Sequence, residues 1–222
     1  MSIDLERARF NMVEQQIRPW DVLDTKVLDL LHKVKREEFV PSAYQALAFA
    51  DLEIPIGLGE KMLSPKLEAR ILQELAIHST DRILEVGTGS GYLTALLASQ
   101  GAHVYSVDIV DAFIQVAGER LAQHGLRNVT LEQGDAARGW DKHGPYDVVV
   151  LTGSVPVLAE SFQQSLTAAG RLFAIVGEAP AMEARLITCM GTGAPGAYST
   201  ASLFETSVPA LRNAPQHARF SF

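Results

Sequence analysis

The segment Leu84-Glu85-Val86-Gly87-Thr88-Gly89-Ser90-Gly91-Tyr92 sets three glycines two apart, after an apolar run and before a helical one. Glycine lets a backbone turn tightly and lets a ligand approach without meeting a Cβ. In open α/β sheets ligands bind beyond the carboxyl ends of the strands, where the strand order reverses. Gly87, Thr88, Gly89, Ser90 and Gly91 are therefore candidate binding residues, with Glu85 two positions before the first glycine. Dinucleotide enzymes seat a pyrophosphate on a G-x-G-x-x-G turn. A carboxylate beside the G-x-G-x-G turn found here would repel a pyrophosphate and suits a ligand bearing an ammonium and a sulfonium, which is the chemistry of S-adenosylmethionine. On the glycines alone, a plain turn or a dinucleotide site remains an alternative.

Two further acids follow at matching places. Val107-Asp108 ends the next strand, where a carboxylate can accept both ribose hydroxyls, a feature shared with NAD enzymes. Gly134-Asp135-Ala136 follows the third strand, and Asp135 can accept from an adenine amino group. Either aspartate can instead be a turn residue or a helix cap. Glycine or acidic features at the ends of three successive strands carry more weight together than a lone glycine loop.

The elements that must position these residues are read from periodicity. Residues 1–50 are predicted helical: Val22, Leu23, Val27, Leu28, Leu30, Leu31 and Val34 recur at helical spacing, Asp21 or Asp24 can cap, and Arg18-Pro19-Trp20 breaks the preceding helix. Residues 51–63, with Ile54-Pro55-Ile56-Gly57-Leu58-Gly59, read as irregular and extended. Ser64-Pro65 opens a helix to about Ile77. From residue 81, strands (Arg82–Val86, His103–Val107, Val129–Glu132, Tyr146–Thr152, Arg171–Val176) alternate with helices (Tyr92–Gln100, Ala112–His124, Leu158–Leu166), which predicts a parallel sheet covered on both faces. Arg185–Met190 and Ser202–Val208 read as two more strands, paired antiparallel across a loop at Gly191–Gly196. The expectation is one domain over residues 1–222. Residues 1–77 form a helical extension and substrate-side segment, and residues 78–222 form an α/β cofactor-binding core.

The 222 residues carry a net charge of −7, which argues against a dedicated nucleic-acid binder, since phosphate contacts need a basic face. Cys189 is the one cysteine, which rules out an intramolecular disulfide and is expected to be a buried, inert thiol. The six histidines show no metal-ligand spacing, so no metal is expected. The start MSIDLERARF has no apolar run of a signal peptide, and no stretch is long and apolar enough to span a membrane, so a cytoplasmic location is expected. Tyr92 and Trp20 are expected to pack rather than touch substrate, with a lid or substrate wall from Arg18 and Trp20 as the alternative.

The chain resembles the protein-L-isoaspartate O-methyltransferases over nearly its whole length. The resemblance is carried by Arg36-Glu37-Glu38-Phe39-Val40-Pro41, by Ala50-Asp51-Leu52-Glu53-Ile54-Pro55-Ile56-Gly57, by Asp81 through Tyr92, and by Gly170-Arg171-Leu172 with Val176-Gly177. It implies a Rossmann-like class I S-adenosylmethionine-dependent methyltransferase fold, with a mostly parallel seven-stranded sheet. It also implies methyl transfer to the carboxylate of isoaspartyl residues in a protein or peptide substrate. By position, Glu85, Gly87, Thr88, Gly89, Ser90, Gly91, Asp108, Asp135 and Ala136 would form the cofactor pocket, with Ile56, Lys61 and Leu63 on the substrate side. Here Leu63 occupies the position of the family's active-site serine and Lys61 that of its usual threonine. Ser64, one residue late, is the candidate catalytic hydroxyl or a helix cap. The departures leave open a different methyl acceptor, or binding without turnover.

Overall fold

The computed structural model describes residues 4–191 and 197–217; of the expected 191–196 loop, all but Gly191 lies outside them. A seven-stranded sheet runs in the order β5 (Val129–Gln133), β4 (His103–Asp108), β3 (Arg82–Val86), β6 (Tyr146–Val155), β7 (Leu166–Glu178), β8 (Ala181–Cys189), β9 (Tyr198–Thr206). The first five are parallel; β8 pairs antiparallel with both β7 and β9. That is the expected architecture, and the strand order turns at β3, which has β4 on one side and β6 on the other.

Alternate residues of these strands feed two apolar layers. Ile83, Val104, Val148, Val150 and Phe173 pack on one face with α3 (Pro65–Leu75), α4 (Tyr92–Ala98) and α5 (Asp111–Gln123). Leu84, Val107, Val149, Leu151 and Leu172 pack on the other with Phe162 of the short α6 (Glu160–Gln164). A sheet covered on both faces needs near-continuous apolar strands, as Val148-Val149-Val150-Leu151, all fully buried, provide. β6 and β7 extend beyond the expected ends because each carries register shifts that absorb residues periodicity assigns to loops. α6 is correspondingly shorter than residues 158–166 suggest.

The N-terminal extension is helical in pieces. α1 (Leu5–Asn11) runs into a widened turn over Met12–Ile17 and a tight one over Arg18–Trp20, and stops at Asp21 with φ +60. The helical run thus ends at the Arg18-Pro19-Trp20 step, as expected. The loosened turn ahead of Pro19 lies where its ring would meet an α-helical carbonyl. Trp20 packs edge-on against Phe204 beneath Lys66 and Arg70. α2 (Thr25–Lys33) is capped by Asp24, whose side chain accepts from the Lys26 N–H. Met12, Val13, Ile17 and Leu31 enter the same apolar layer as α3 and α4. The segment expected to be irregular is a hairpin, β1 (Ile54–Gly57) with β2 (Glu60–Met62). Cys189 is half-buried on β8 rather than fully inside, because that strand lies near the edge of the sheet.

One buried cation ties extension, hairpin and core together. The fully buried Arg36 donates from Nε to Glu68 Oε2 (3.2 Å), from Nη1 to the Ala48 carbonyl (3.3 Å) and from Nη2 to the Leu63 carbonyl (2.5 Å). Its guanidinium stacks 5.6 Å from the Tyr92 ring centroid, and the neighbouring Glu37 pairs with Arg9 of α1. Removing one member of a buried pair strands the other charge, at a cost of about 3–5 kcal/mol. Arg36→Met should lower the unfolding free energy by that amount in urea; a loss under about 1 kcal/mol would show that the pair anchors nothing.

Candidate active site

At the carboxyl ends of β3, β4, β5 and β6 lies a groove of about 730 Å³ lined by, among others, Gly87, Gly89, Asp108, Asp135, Ala136 and Thr152. Gly87 has φ +99, and a Cβ there would stand 2.1 Å from Thr152 Oγ1, which donates to the Val86 and Gly87 carbonyls. Only glycine fits. Asp108 Oδ2 accepts from the Gly89 N–H and Oδ1 from the Val110 N–H, both at 2.9 Å. An ionised carboxylate has about four acceptor positions, so these bonds orient Asp108 and leave a lone pair on each oxygen for vicinal hydroxyls. Asp135 accepts from the Ala137 N–H and from Asn213 Nδ2 (2.8 Å). Its two roles, turn residue and groove wall, coexist.

The apolar residues Ile109, Phe113, Ala136 and Leu211 line the same groove. An aromatic base suits an apolar slot flanked by a few polar groups. The residues present therefore fit an adenosyl group. Ile109 and Phe113 had a signal in the sequence, standing one and five residues beyond Asp108. The residues Pro209, Ala210, Leu211 and Arg212 had none. They line the groove because residues 208–211 bond alongside Ser154, its N–H to the Pro209 carbonyl and its carbonyl to the Leu211 N–H. Arg212 then reaches the hairpin, donating to Glu60 Oε1 (2.7 Å) and to the Leu58 carbonyl (2.9 Å).

A recess opens from the groove past the glycine loop, lined by Ile56, Lys61, Leu63, Glu68, Thr88 and Ser90 together with Gly87, Gly89, Met62, Leu93 and Thr152. Ile56, Lys61 and Leu63 thus sit on the site as expected; Lys61 is half-exposed and pairs with Glu53 at 3.1 Å. Three expected residues, Ser64, Gly91 and Glu85, are placed elsewhere. Ser64 is outside the lining of both spaces. It occupies the cap position of α3 in extended conformation, without a side-chain cap hydrogen bond, and neighbours along extended chain face opposite ways. Gly91 also lies off the groove; its φ of +83 starts α4, and a Cβ would meet Ala117 of α5 at 2.9 Å.

The larger correction is Glu85. It is fully buried and lines neither space, because its side chain leaves β3 toward α4 and β4. Its Oε2 accepts from Thr94 Oγ1 (2.5 Å) and Ser106 Oγ (2.6 Å), and Ser106 in turn bonds Thr88 in the loop (2.6 Å). Oε1 is buried with no partner among the described residues. Burial pushes the carboxyl up to about 8 against those two hydrogen bonds. Glu85 is therefore mostly uncharged at pH 7 and braces the loop rather than offering it an anion. The acid that lines the recess is Glu68, which sequence reasoning missed. Its signal was an acid at the head of the buried stripe Glu68-Leu72-Leu75 on α3.

The model of a family described as protein-L-isoaspartate(D-aspartate) O-methyltransferase matches residues 7–193. A protein-L-isoaspartate O-methyltransferase of Protochlamydia amoebophila is 36% identical over 174 residues, 78% of this chain and 82% of that protein. One of Gloeobacter violaceus is 35% identical over 206 residues, 92% and 99% of the two chains. Among solved structures, a Plasmodium falciparum protein described as such a methyltransferase, in complex with S-adenosyl-L-homocysteine, has a TM-score of 0.78. Its identity is 18%, with 95% of this chain and 99% of that one covered, so it shows the shared fold.

A raised pKa makes Glu85 a source of pH dependence. Its stabilising protonated form is fully present below about pH 4.5, the unfolded value, and that contribution is lost as pH rises toward about 8. Between about pH 5 and about pH 8, unfolding free energy from urea titrations should fall more steeply in the wild type than in Glu85→Gln. Parallel profiles would mean that Glu85 does not titrate there.

Proposed function

The chain belongs to the protein-L-isoaspartate(D-aspartate) O-methyltransferase family, and from that premise we propose that it methylates the side-chain carboxylate of isoaspartyl residues in proteins or peptides, with S-adenosylmethionine as donor. The single observation that supports the cofactor assignment is Asp108, held by two loop N–H groups beside an apolar slot. When bound, S-adenosylmethionine supplies a sulfonium-activated methyl group for in-line displacement.

In this reading the chain's residues position rather than activate. An isoaspartyl carboxyl, with an ordinary pKa near 4, is ionised at pH 7 and needs no general base. Alignment of the reacting atoms can supply roughly 7–11 kcal/mol of the barrier reduction. Ile56 and Leu63 form an apolar wall where groove and recess meet, and Lys61 at the rim attracts a carboxylate. No described helix is long and apolar enough to cross a membrane.

Incubation with an isoaspartyl peptide and donor carrying a labelled methyl should yield a base-labile ester; none at high enzyme would reject the isoaspartyl acceptor. Leu63 and Lys61 favour a second reading, another acceptor, which labelling of a cell extract without labelling of the peptide would select. Tight binding of the donor with no product on any acceptor would select binding without turnover. If Lys61 guides the acceptor, Lys61→Met should raise KM for the peptide roughly tenfold and leave kcat within about twofold. A fall in kcat at constant KM would assign it a role in the transfer itself.

A further inference from the structure

We propose that Glu68 is the anionic partner of the α-ammonium of S-adenosylmethionine, the role that the sequence suggests for Glu85. The assignment rests on the cofactor reading of the groove. Asp108 and Asp135 line the groove and not the recess, whereas Gly87 and Gly89 border both. A nucleoside with its ribose on Asp108 extends its amino-acid tail past these glycines, and the recess is the space it enters. Thr88 and Ser90 lie there for the tail's carboxylate, and Glu68 is the one acidic side chain among the described residues lining the recess.

Glu68 is built for a cation. It is 2% exposed; Oε2 accepts from Arg36 Nε, and among the described residues no hydrogen bond reaches Oε1. A buried carboxylate with one oxygen unused gains most from a charged donor. The charges around it are Arg36 from the turn at Arg36–Glu38, Lys61 from the hairpin, Glu85 from β3 and the Tyr92 hydroxyl from α4. Lys61 is turned to Glu53 at the rim, Glu85 is mostly neutral at pH 7, and burial holds Tyr92 un-ionised. Desolvation pushes Glu68 itself up to about 7 in spite of Arg36, so an arriving ammonium meets a site that is partly protonated and displaces its proton.

The test is calorimetric binding of S-adenosylhomocysteine, which has the tail, and of 5′-methylthioadenosine, which lacks it. With the wild type, the affinity for S-adenosylhomocysteine should fall about tenfold from pH 8 to pH 6 as Glu68 takes up its proton, while that for 5′-methylthioadenosine stays level. Glu68→Gln should bind S-adenosylhomocysteine about tenfold more weakly at pH 8, lose the pH dependence, and bind 5′-methylthioadenosine as the wild type does. Equal losses for both ligands, or none for either, would overturn the assignment and leave the cofactor reading standing. A wild type that binds neither ligand would overturn that reading itself. Should the variant fail to fold, the two wild-type pH profiles decide: parallel profiles reject the role of Glu68.

Discussion

The site depends on a charge with no access to water. Arg36 is fully buried, and a guanidinium at such a place must have its donors met. They are met by three segments distant in sequence: Glu68 on α3, the carbonyl of Ala48, and the carbonyl of Leu63 at the exit of the hairpin. Because one planar group fixes all three, the hairpin cannot shift over the groove without leaving a buried cation unpaired. The same bond that holds the Leu63 backbone leaves its side chain facing the site. The same guanidinium also takes up one oxygen of Glu68. Stability and site geometry are here one constraint, and the motif Arg36-Glu37-Glu38-Phe39-Val40-Pro41 that carries the family resemblance is its source in the sequence.

The loop shows a second division of labour. Gly87, Gly89 and Asp108 meet the groove, whereas Glu85 and Gly91, drawn from the same motif, face away from it. Glu85 braces Thr94 and Ser106 behind the loop, and Gly91 lets α4 and α5 approach. A motif therefore does not translate into a list of ligand contacts. Some of its residues shape the turn and others touch what the turn binds.

That division explains what was legible in the sequence. The parallel sheet was, because Val148-Val149-Val150-Leu151 and the alternation around it respond to burial on two faces, a local pattern. The groove acids Asp108 and Asp135 were, because they follow strand ends. The hairpin at residues 54–62 was not, since Pro55, Gly57 and Gly59 read as loop while the pairing that makes it a hairpin is made across the turn. The direction of Glu85 was not, since periodicity places a residue on a strand and the donors Thr94 and Ser106 decide where its carboxyl goes. Glu68 was hidden for the converse reason: an acid on a helix reads as solvated surface until its partner 32 residues away is known. Ser64 attracted attention as a hydroxyl near the right place, and a shift of one residue along extended chain turned it out of the site.

Placement of charge also bears on why leucine is compatible with the chemistry at position 63. Methyl transfer from a sulfonium to a carboxylate starts from opposite charges and ends with neither, so charge at the reacting atoms shrinks on the way to the transition state. Fixed charges beside those atoms would hold the ground state more firmly than the transition state and slow the step. The arrangement proposed here keeps charge at the periphery, with Glu68 at the tail, Asp108 at the ribose and Lys61 at the rim. The wall at the junction of groove and recess is Ile56 and Leu63. A leucine there offers no hydroxyl to an acceptor, and it lowers the local polarity at the place where a vanishing ion pair gains from low polarity. On the proposed reading Leu63 leaves the displacement itself feasible, which moves the question of specificity from that side chain to Lys61 and to the backbone that Arg36 keeps in place.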